Sequence, residues 1–477
     1  MPRTRILATI GPATLSEEAI RGLLAAGADA FRINFSHGDD DQHRLIVERA
    51  RKVASAVGRS VTLVADLQGP KHRLGELRPE VWTLSAGEKI ELRESKGPSD
   101  PPALPVDVEG FLKVLRPRQQ VLLGDAALEL LVEEVDKTRA VVRVVQGGNI
   151  SSHQGVYFPG STLRSEVLGK KDLQDLKLAV EEEVDWVALS FVASAADLRL
   201  ARAHLKNLAP DRPPYLLAKI ERAEALRNQV GILEESDGIM VARGDLGIEV
   251  PLASLAMVQK ELVTAARRAA KPCVVATQML LSMVKAPRPT RAEATDVANA
   301  VLDGADALML SEETAVGEHP QEAVRFLAEI AEATEPALWR SPGGSFLGKE
   351  GELAGSELHG EEGAVAEAAV RLAARIGARA IVVPTHSGRT ARLVARLRPK
   401  PPLLVLTSQA ATQAAVGLLW GVRSRGVPAK LPLDGLREAA RTAGIEELHL
   451  ARGDRVVLTA GYPLEGRPTN LLNVVEI

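Results

Sequence analysis

Three stretches of the sequence set ionisable or hydroxylated side chains directly behind short apolar runs. Lys219 and Glu221 close "YLLAKIE"; Arg243, Gly244 and Asp245 close "GIMVARGD"; Thr277 and Gln278 follow "CVVA". Lys219 and Glu221 are two residues apart, so on a strand they share one side. Glu221 and Asp245 end successive runs, and two carboxylates converging on one cleft suit Mg2+ or Mn2+, with water and substrate oxygens completing the shell. No His or Cys cluster accompanies them, which argues against zinc. Arg32, Arg73 and Arg243 would add fixed cations, as phosphoryl transfer and enolate chemistry require, because both develop negative charge. Gly244 would let backbone N–H groups approach an anion, and a helical turn behind it would aim its positive end there. Each feature has a plainer alternative. "RGD" is also a capped turn, Lys219 with Glu221 a rim salt bridge, and Thr277 a β-branched strand residue.

Such residues need a frame that brings strand ends together. Eight apolar runs, each closed by polar residues and followed by a helical pattern, occur in order: "RILATIG", "AFRINFSHG", "VTLVADLQG", "DWVALSF", "YLLAKIE", "GIMVARGD", "CVVATQM" and "ALMLSEET". Eight strand–helix units predict a closed (β/α)8 TIM barrel, whose sites lie at the C-terminal strand ends. A doubly wound open sheet has no reason to stop at eight or to load every end with polar groups. The candidates are therefore Arg32, Asn34, Ser36, Asp66, Ser190, Lys219, Glu221, Arg243, Asp245, Thr277, Gln278, Ser311 and Glu313.

The regular spacing breaks once, after "VADLQGPKHRLG", where "WTLSAGEKIEL", "QQVLLGDAALELLVEEV" and "RAVVRVVQGG" carry strand-like runs with turns between them. An inserted β-barrel lid domain over the active-site face is expected. After "PQEAVRFLAEIAEAT" closes the barrel, a Gly- and Ser-rich stretch reads as a linker. From about Ala364 a C-terminal α/β domain begins. The expected division is 1–69 and 167–338 for the barrel, 70–166 for the lid and 339–477 for the C-terminal domain.

Composition narrows the classes. The 477 residues are 45% hydrophobic, with 59 basic and 62 acidic side chains and a net charge of -3, so no global field exists to hold nucleic acid. The single cysteine, Cys273, excludes an internal disulfide and reads as a buried small hydrophobe. "MPRTRILATIGPAT" meets Gly11-Pro12 too soon for a signal peptide, and no stretch approaches about 18 apolar residues. A cytoplasmic protein with no membrane partner is expected.

The stretches "TIGPAT", "FRINFSHG", "DLQGPK.R.G", "AKIE", "SDGIMVARGDLGIE", "KPCVVATQML", "PRPTRAEATDVANAVLDGADALMLSEETA.GEHP" and "THSGRTAR" carry a resemblance to the pyruvate kinase family in its bacterial form, along nearly the whole chain. The resemblance implies a barrel, a lid and an effector domain, and transfer of the phosphoryl group from phosphoenolpyruvate to ADP, giving ATP and pyruvate. It implies that Glu221 and Asp245 hold the metal and that Lys219 stabilises the transferring phosphoryl group and the enolate. Arg32, Gly244 and Asp245 would contact substrate, with Thr277 near the protonation step and Ser311 and Glu313 in the proton relay. Asn34, Phe35, Ser36, His37 and Arg73 would contact nucleotide, and a homotetramer is implied.

Two departures from the family pattern stand out. Its monovalent-cation site survives as Asn34, Ser36 and Asp66, but Leu67, Gln68 and Lys71 stand in "DLQGPK", with Lys71 where the family has Glu. A fixed ammonium there predicts catalysis that needs Mg2+ but not K+. Gln154 replaces a common Lys in "SSHQGVYFPG", putting one lid contact to nucleotide phosphate in doubt. In the C-terminal domain, "VVPTHSGRTARLVARL" is a strand, a hydroxyl-rich loop and a helix. It is either a capped turn or a cradle for a phosphate. The resemblance implies a phosphorylated effector at this loop, so a sugar phosphate or AMP is expected at Thr385, Ser387, Gly388, Arg389 and Thr390. Two rival functions remain: a Mg2+-dependent aldolase or lyase acting on pyruvate, and a phosphometabolite sensor without turnover.

Overall fold

Strands buried on both faces need near-continuous apolar runs, and the eight runs meet that demand. In the computed structural model they form β1 (Arg5–Ile10), β2 (Ala30–Asn34), β3 (Thr62–Asp66), β4 (Trp186–Leu189), β5 (Tyr215–Ile220), β6 (Gly238–Ala242), β7 (Cys273–Ala276) and β8 (Ala307–Leu310). All pair in parallel in sequence order, and β8 returns to β1 to close the barrel. The structure describes residues 2–95, 97–124, 126–161, 166–339, 360–462 and 468–477; the expected linker falls largely outside them.

Local signals fix where the surrounding helices begin and end. Ser16 caps helix Glu17–Ala26 by accepting the Ala19 N–H, and Gly27 ends it at φ 122°. Thr290 and Glu293 form a capping box on helix Arg291–Asp303. The helices' apolar stripes pack on the outside of the barrel, burying residues such as Ile20, Leu23, Leu198 and Val297. A second cluster fills the barrel interior: Leu7, Val64, Trp186, Leu217, Met240 and Met309.

Between β3 and β4 the chain leaves the barrel for the expected insertion, a seven-stranded sheet with its own apolar core. The sequence reading missed its strand Ala103–Asp107, which contains Pro105 and pairs in parallel with Lys89–Glu94. The C-terminal domain is a five-stranded sheet in the order Val422–Gly426, Leu403–Thr407, Ala380–Pro384, Arg455–Ala460, Leu471–Glu476, antiparallel only at its last pair. Val422–Gly426 was also missed. It is an edge strand, "VRSRG", and its arginines hide the alternation. Helix Leu433–Leu448 escaped notice because Gly435 and Gly444 interrupt its pattern. No helix among the described residues is long and apolar enough to cross a membrane.

The C-terminal domain plugs the N-terminal mouth of the barrel. Ala415 and Leu418 join the interior cluster, and the Trp186 indole N–H donates to the Ala415 carbonyl at 3.3 Å. Beside them, Arg398, 1% exposed, reaches Asp306 at the foot of β8 through both carboxylate oxygens, at 3.0 and 2.9 Å, and donates to the Gly304 carbonyl at 2.6 Å. Asp306 in turn accepts N–H groups from Cys273 and Trp420. Removing one partner of such a buried pair strands the other charge. Arg398→Met is expected to cost about 3–5 kcal/mol, read as a lowered urea midpoint with unchanged secondary structure in the remaining folded baseline.

Candidate active site

Four consecutive strands deliver one charged cluster at the C-terminal end of the barrel. Arg32 comes from β2, Asp66 ends β3, Ser190 follows β4 and Lys219 lies in β5. Lys219 Nζ sits 3.1 Å from Asp66 Oδ1 and 2.9 Å from Glu221 Oε1, and it donates to Ser190 Oγ at 2.6 Å. Arg32 Nε holds the other oxygen of Asp66 at 2.6 Å, while its Nη1 donates to Thr9 Oγ1 at 3.2 Å. The Ser190 hydroxyl in turn donates to the Leu67 carbonyl at 2.7 Å. Gly69 makes room for this arrangement: its φ is 65°, and a Cβ there would lie 2.8 Å from Ser190 Cβ.

Burial sets the electrostatics. Desolvation alone would raise Asp66, but Lys219 and Arg32 overcome it and hold the carboxyl below its ordinary range. Burial would lower Lys219, but Asp66 and Glu221 more than offset it and push the ammonium well up. The outcome is a desolvated lysine fixed in its charged form. Glu221, unlike Asp66, is raised above its ordinary range. Burial raises it, Lys219 opposes, and the nearby Asp245 charge raises it further.

That repulsion between Glu221 and Asp245 is a chemical argument for a cation between or beside them. The donor set is two oxygen-bearing carboxylates, and no group of three or more His, Cys, Asp or Glu side chains suited to a metal occurs among the described residues. A hard divalent ion that takes one or two protein carboxylates fits this set. One oxygen of each carboxylate is already oriented. Glu221 Oε2 accepts the Phe191 N–H at 2.7 Å, and Asp245 Oδ1 accepts the Tyr157 hydroxyl at 3.1 Å. Sequence reasoning missed Thr9, Phe191 and Tyr157. Phe191 acts through a backbone N–H with φ at 56°, which residue type does not signal. Tyr157 arrives from the insertion, which periodicity cannot dock.

The "RGD" stretch is a turn into a helix beside the acidic pair. Helix Arg243–Glu249 starts there, with Asp245 in its first turn. The Gly244 N–H donates to Thr277 Oγ1 at 2.8 Å, and that hydroxyl donates to the Ala276 carbonyl at 2.6 Å. The expected grouping of Arg243 with the pocket cations is corrected. Arg243 is 6% exposed and turned away, bonded to Asp296 at 2.6 Å, the Thr277 carbonyl at 2.8 Å and Met279 Sδ at 3.0 Å. It braces the carbonyl of Thr277, which with Gln278 is left-handed at φ 69° and 55°.

Other expected residues fall as follows. Asn34 Oδ1 accepts the Ser36 N–H at 3.2 Å, and the His37 carbonyl faces His43 Nε2 at 2.8 Å. The Phe35 side chain is 1% exposed and stacks on His43 at 4.2 Å between ring centres, so only its backbone is left to meet a ligand. Arg73 lies in the inserted sheet and donates to the His153 carbonyl at 3.0 Å. Gln154 folds back on its own turn, accepting the Ser151 N–H at 3.2 Å. Leu67 is buried, and the Lys71 stem runs beside Gly155. Glu313 supports the turn: its two oxygens accept the Leu280 and Ser311 N–H groups at 3.0 and 2.7 Å. Ser311 Oγ is buried with no hydrogen-bond partner.

In the C-terminal domain Thr385 Oγ1 accepts the Gly388 N–H at 3.1 Å and Gly388 is left-handed at 76°. Thr390 turns inward to Thr469 at 2.8 Å, and Arg389 pairs with Glu362 at 2.6 Å. Ser387 is exposed.

A closed barrel with a fixed buried cation and paired carboxylates at its catalytic mouth, roofed by an inserted β domain, has the build of a phosphotransferase. Comparison with known proteins narrows this. Residues 1–324 match the family model described as pyruvate kinase, barrel domain, and residues 363–475 the model for its alpha/beta domain. A pyruvate kinase of Mycobacterium tuberculosis is 39% identical over 477 residues, covering 100% of this chain and 98% of that protein. One from Agrobacterium vitis is 40% identical over 485 residues, covering 100% and 97%. Among solved structures, a Cryptosporidium parvum pyruvate kinase superposes with a TM-score of 0.91 at 31% identity, covering 100% of this chain and 96% of that one. The chain belongs to the pyruvate kinase family.

The Arg243 clamp yields a test. Arg243→Lys keeps the charge but cannot serve Asp296 and the Thr277 carbonyl as a planar fork, so turnover should fall about tenfold or more despite the residue facing away from the pocket. Steady-state kinetics beside a thermal melt would separate this from unfolding.

Proposed function

We propose that this chain transfers the phosphoryl group of phosphoenolpyruvate to ADP, giving ATP and pyruvate at the end of glycolysis, with Mg2+ or Mn2+ and without a requirement for K+. The observation that carries the reading is Lys219, buried and kept charged by Asp66 and Glu221 at 3.1 and 2.9 Å. Phosphoryl transfer leaves little covalent work for the protein and depends on positioning and fixed positive charge. Lys219 offers that charge first to the phosphoryl oxygens and then to the enolate oxygen. Arg32, braced by Asp66 and Thr9, orients the substrate's anionic groups. Glu221 and Asp245 would hold the divalent ion, which when bound neutralises charge on phosphoryl and enolate oxygens. Thr277, aligned by its bonds to Gly244 and Ala276, keeps a hydroxyl next to the substrate during protonation. Asn34, Ser36, His37 and Arg73 are the nucleotide contacts in this reading, and the assembly is a homotetramer.

K+ independence rests on Lys71. In this reading its ammonium, standing where the family pattern has Glu, replaces the single positive charge that a monovalent ion would otherwise bring to Asn34, Ser36 and Asp66. The decisive assay is pyruvate formation from phosphoenolpyruvate and ADP with Mg2+ in K+-free buffer. Rapid turnover is expected, and Lys71→Glu should make it K+-dependent; silence with and without K+ would overturn the transferase itself.

A phosphorylated metabolite is the expected allosteric effector, at Thr385, Ser387, Gly388, Arg389 and Thr390. Support comes from the exposed Ser387 and from a loop whose turn is already shaped by Thr385 and the left-handed Gly388. Ser387→Asp puts a carboxylate against the incoming phosphate and should abolish activation by sugar phosphates and AMP while sparing basal turnover. Activation curves identical to those of the unaltered protein would remove this site.

A further inference from the structure

The two acidic side chains at the site are steadied from different domains. Glu221 is held by the Phe191 N–H, a donor of the barrel itself. Asp245 is held by the hydroxyl of Tyr157, which ends the short strand Val156–Tyr157 of the inserted sheet. Tyr157 is 7% exposed and lines the narrow gap between the insertion and the barrel with Lys71, Phe191 and Glu249. Gly155 gives the ring its room: a Cβ there would meet the Tyr157 ring at 3.1 Å and its hydroxyl at 3.3 Å. The phenol is therefore packed into one position, aimed across the domain boundary at a carboxylate.

We propose that Tyr157 is a positioning residue that orients Asp245 for a divalent cation and thereby couples cation binding to the seating of the inserted domain on the barrel. The proposal rests on the reading of Glu221 and Asp245 as the cation's carboxylates. A hydrogen bond to a metal-binding carboxylate fixes its orientation, and loss of such a bond typically costs about 10–100-fold in metal affinity. Because this donor belongs to another domain, linkage is reciprocal. Whatever Tyr157 contributes to cation affinity, the cation returns as a tighter hold on the insertion.

The test uses the full chain, Mn2+ alone as probe and no substrate. Free Mn2+ is followed by electron paramagnetic resonance, and hydrogen exchange is followed in residues 154–158 with and without the ion. Tyr157→Phe keeps the packed ring and should leave the melting temperature nearly unchanged while weakening Mn2+ binding about tenfold or more. Mn2+ should slow exchange at 154–158 in the unaltered protein and fail to do so in Tyr157→Phe. Affinities within about twofold of each other, or no protection of 154–158 by Mn2+ in the unaltered protein, would overturn the coupling while leaving the acidic pair in place. Glu221→Gln serves as the reference: if it binds Mn2+ as well as the unaltered protein, the acidic pair itself is wrong and the role of Tyr157 goes with it.

Discussion

A lysine ammonium taken out of water must be matched by charge, and Lys219 is matched twice. Asp66 and Glu221 each lie within ion-pair reach, and Ser190 Oγ accepts a further hydrogen bond from it. Two carboxylates against one lysine would leave an excess of negative charge, and Arg32 on Asp66 removes it. The cluster is thus nearly self-neutralising before any ligand arrives, which is why it can be buried. Its members come from four adjacent strands, and only a closed barrel with fixed stagger brings four strand ends to a common point. The apolar interior below them supplies the stiffness that keeps the distances.

The barrel's two mouths are treated differently. At the N-terminal end the C-terminal domain is joined by apolar insertion and by Arg398 on Asp306, a contact with no sign of looseness. At the catalytic end the insertion meets the acidic pair through a narrow gap and a phenol on Asp245. A buried apolar seam and ion pair resist opening, whereas a hydrogen bond to a ligand-facing carboxylate is more easily exchanged for water or ligand. The architecture therefore puts rigidity beneath the chemistry and adjustability above it.

Much of this was legible in the residues. The eight runs matched the eight strands because strands covered on both faces leave no polar interruptions until the catalytic end, where Asp66, Glu221 and Asp245 appear. The turns were weaker guides. Arg243 looked like a pocket cation because residue type does not say which way a guanidinium turns, and the demand of left-handed Thr277 and Gln278 for support is invisible in sequence. Nor does residue type announce that the Glu313 carboxylate serves two backbone amides or that the Phe35 ring stacks on His43. Tyr157 could not be found at all, since contacts between domains carry no periodic signature.

Cys273 opens β7 at the seam between the barrel and the C-terminal domain, 1% exposed, with its N–H on Asp306. Burial raises its thiol well above the ordinary range, with the Asp306 charge adding to the effect, so thiolate is scarce in the closed molecule. Modification of this chain by thiol reagents therefore reports an excursion of the structure rather than a surface reactivity. With no other cysteine to compete, the labelling rate at Cys273 is a clock for how often the lower seam of the barrel comes apart.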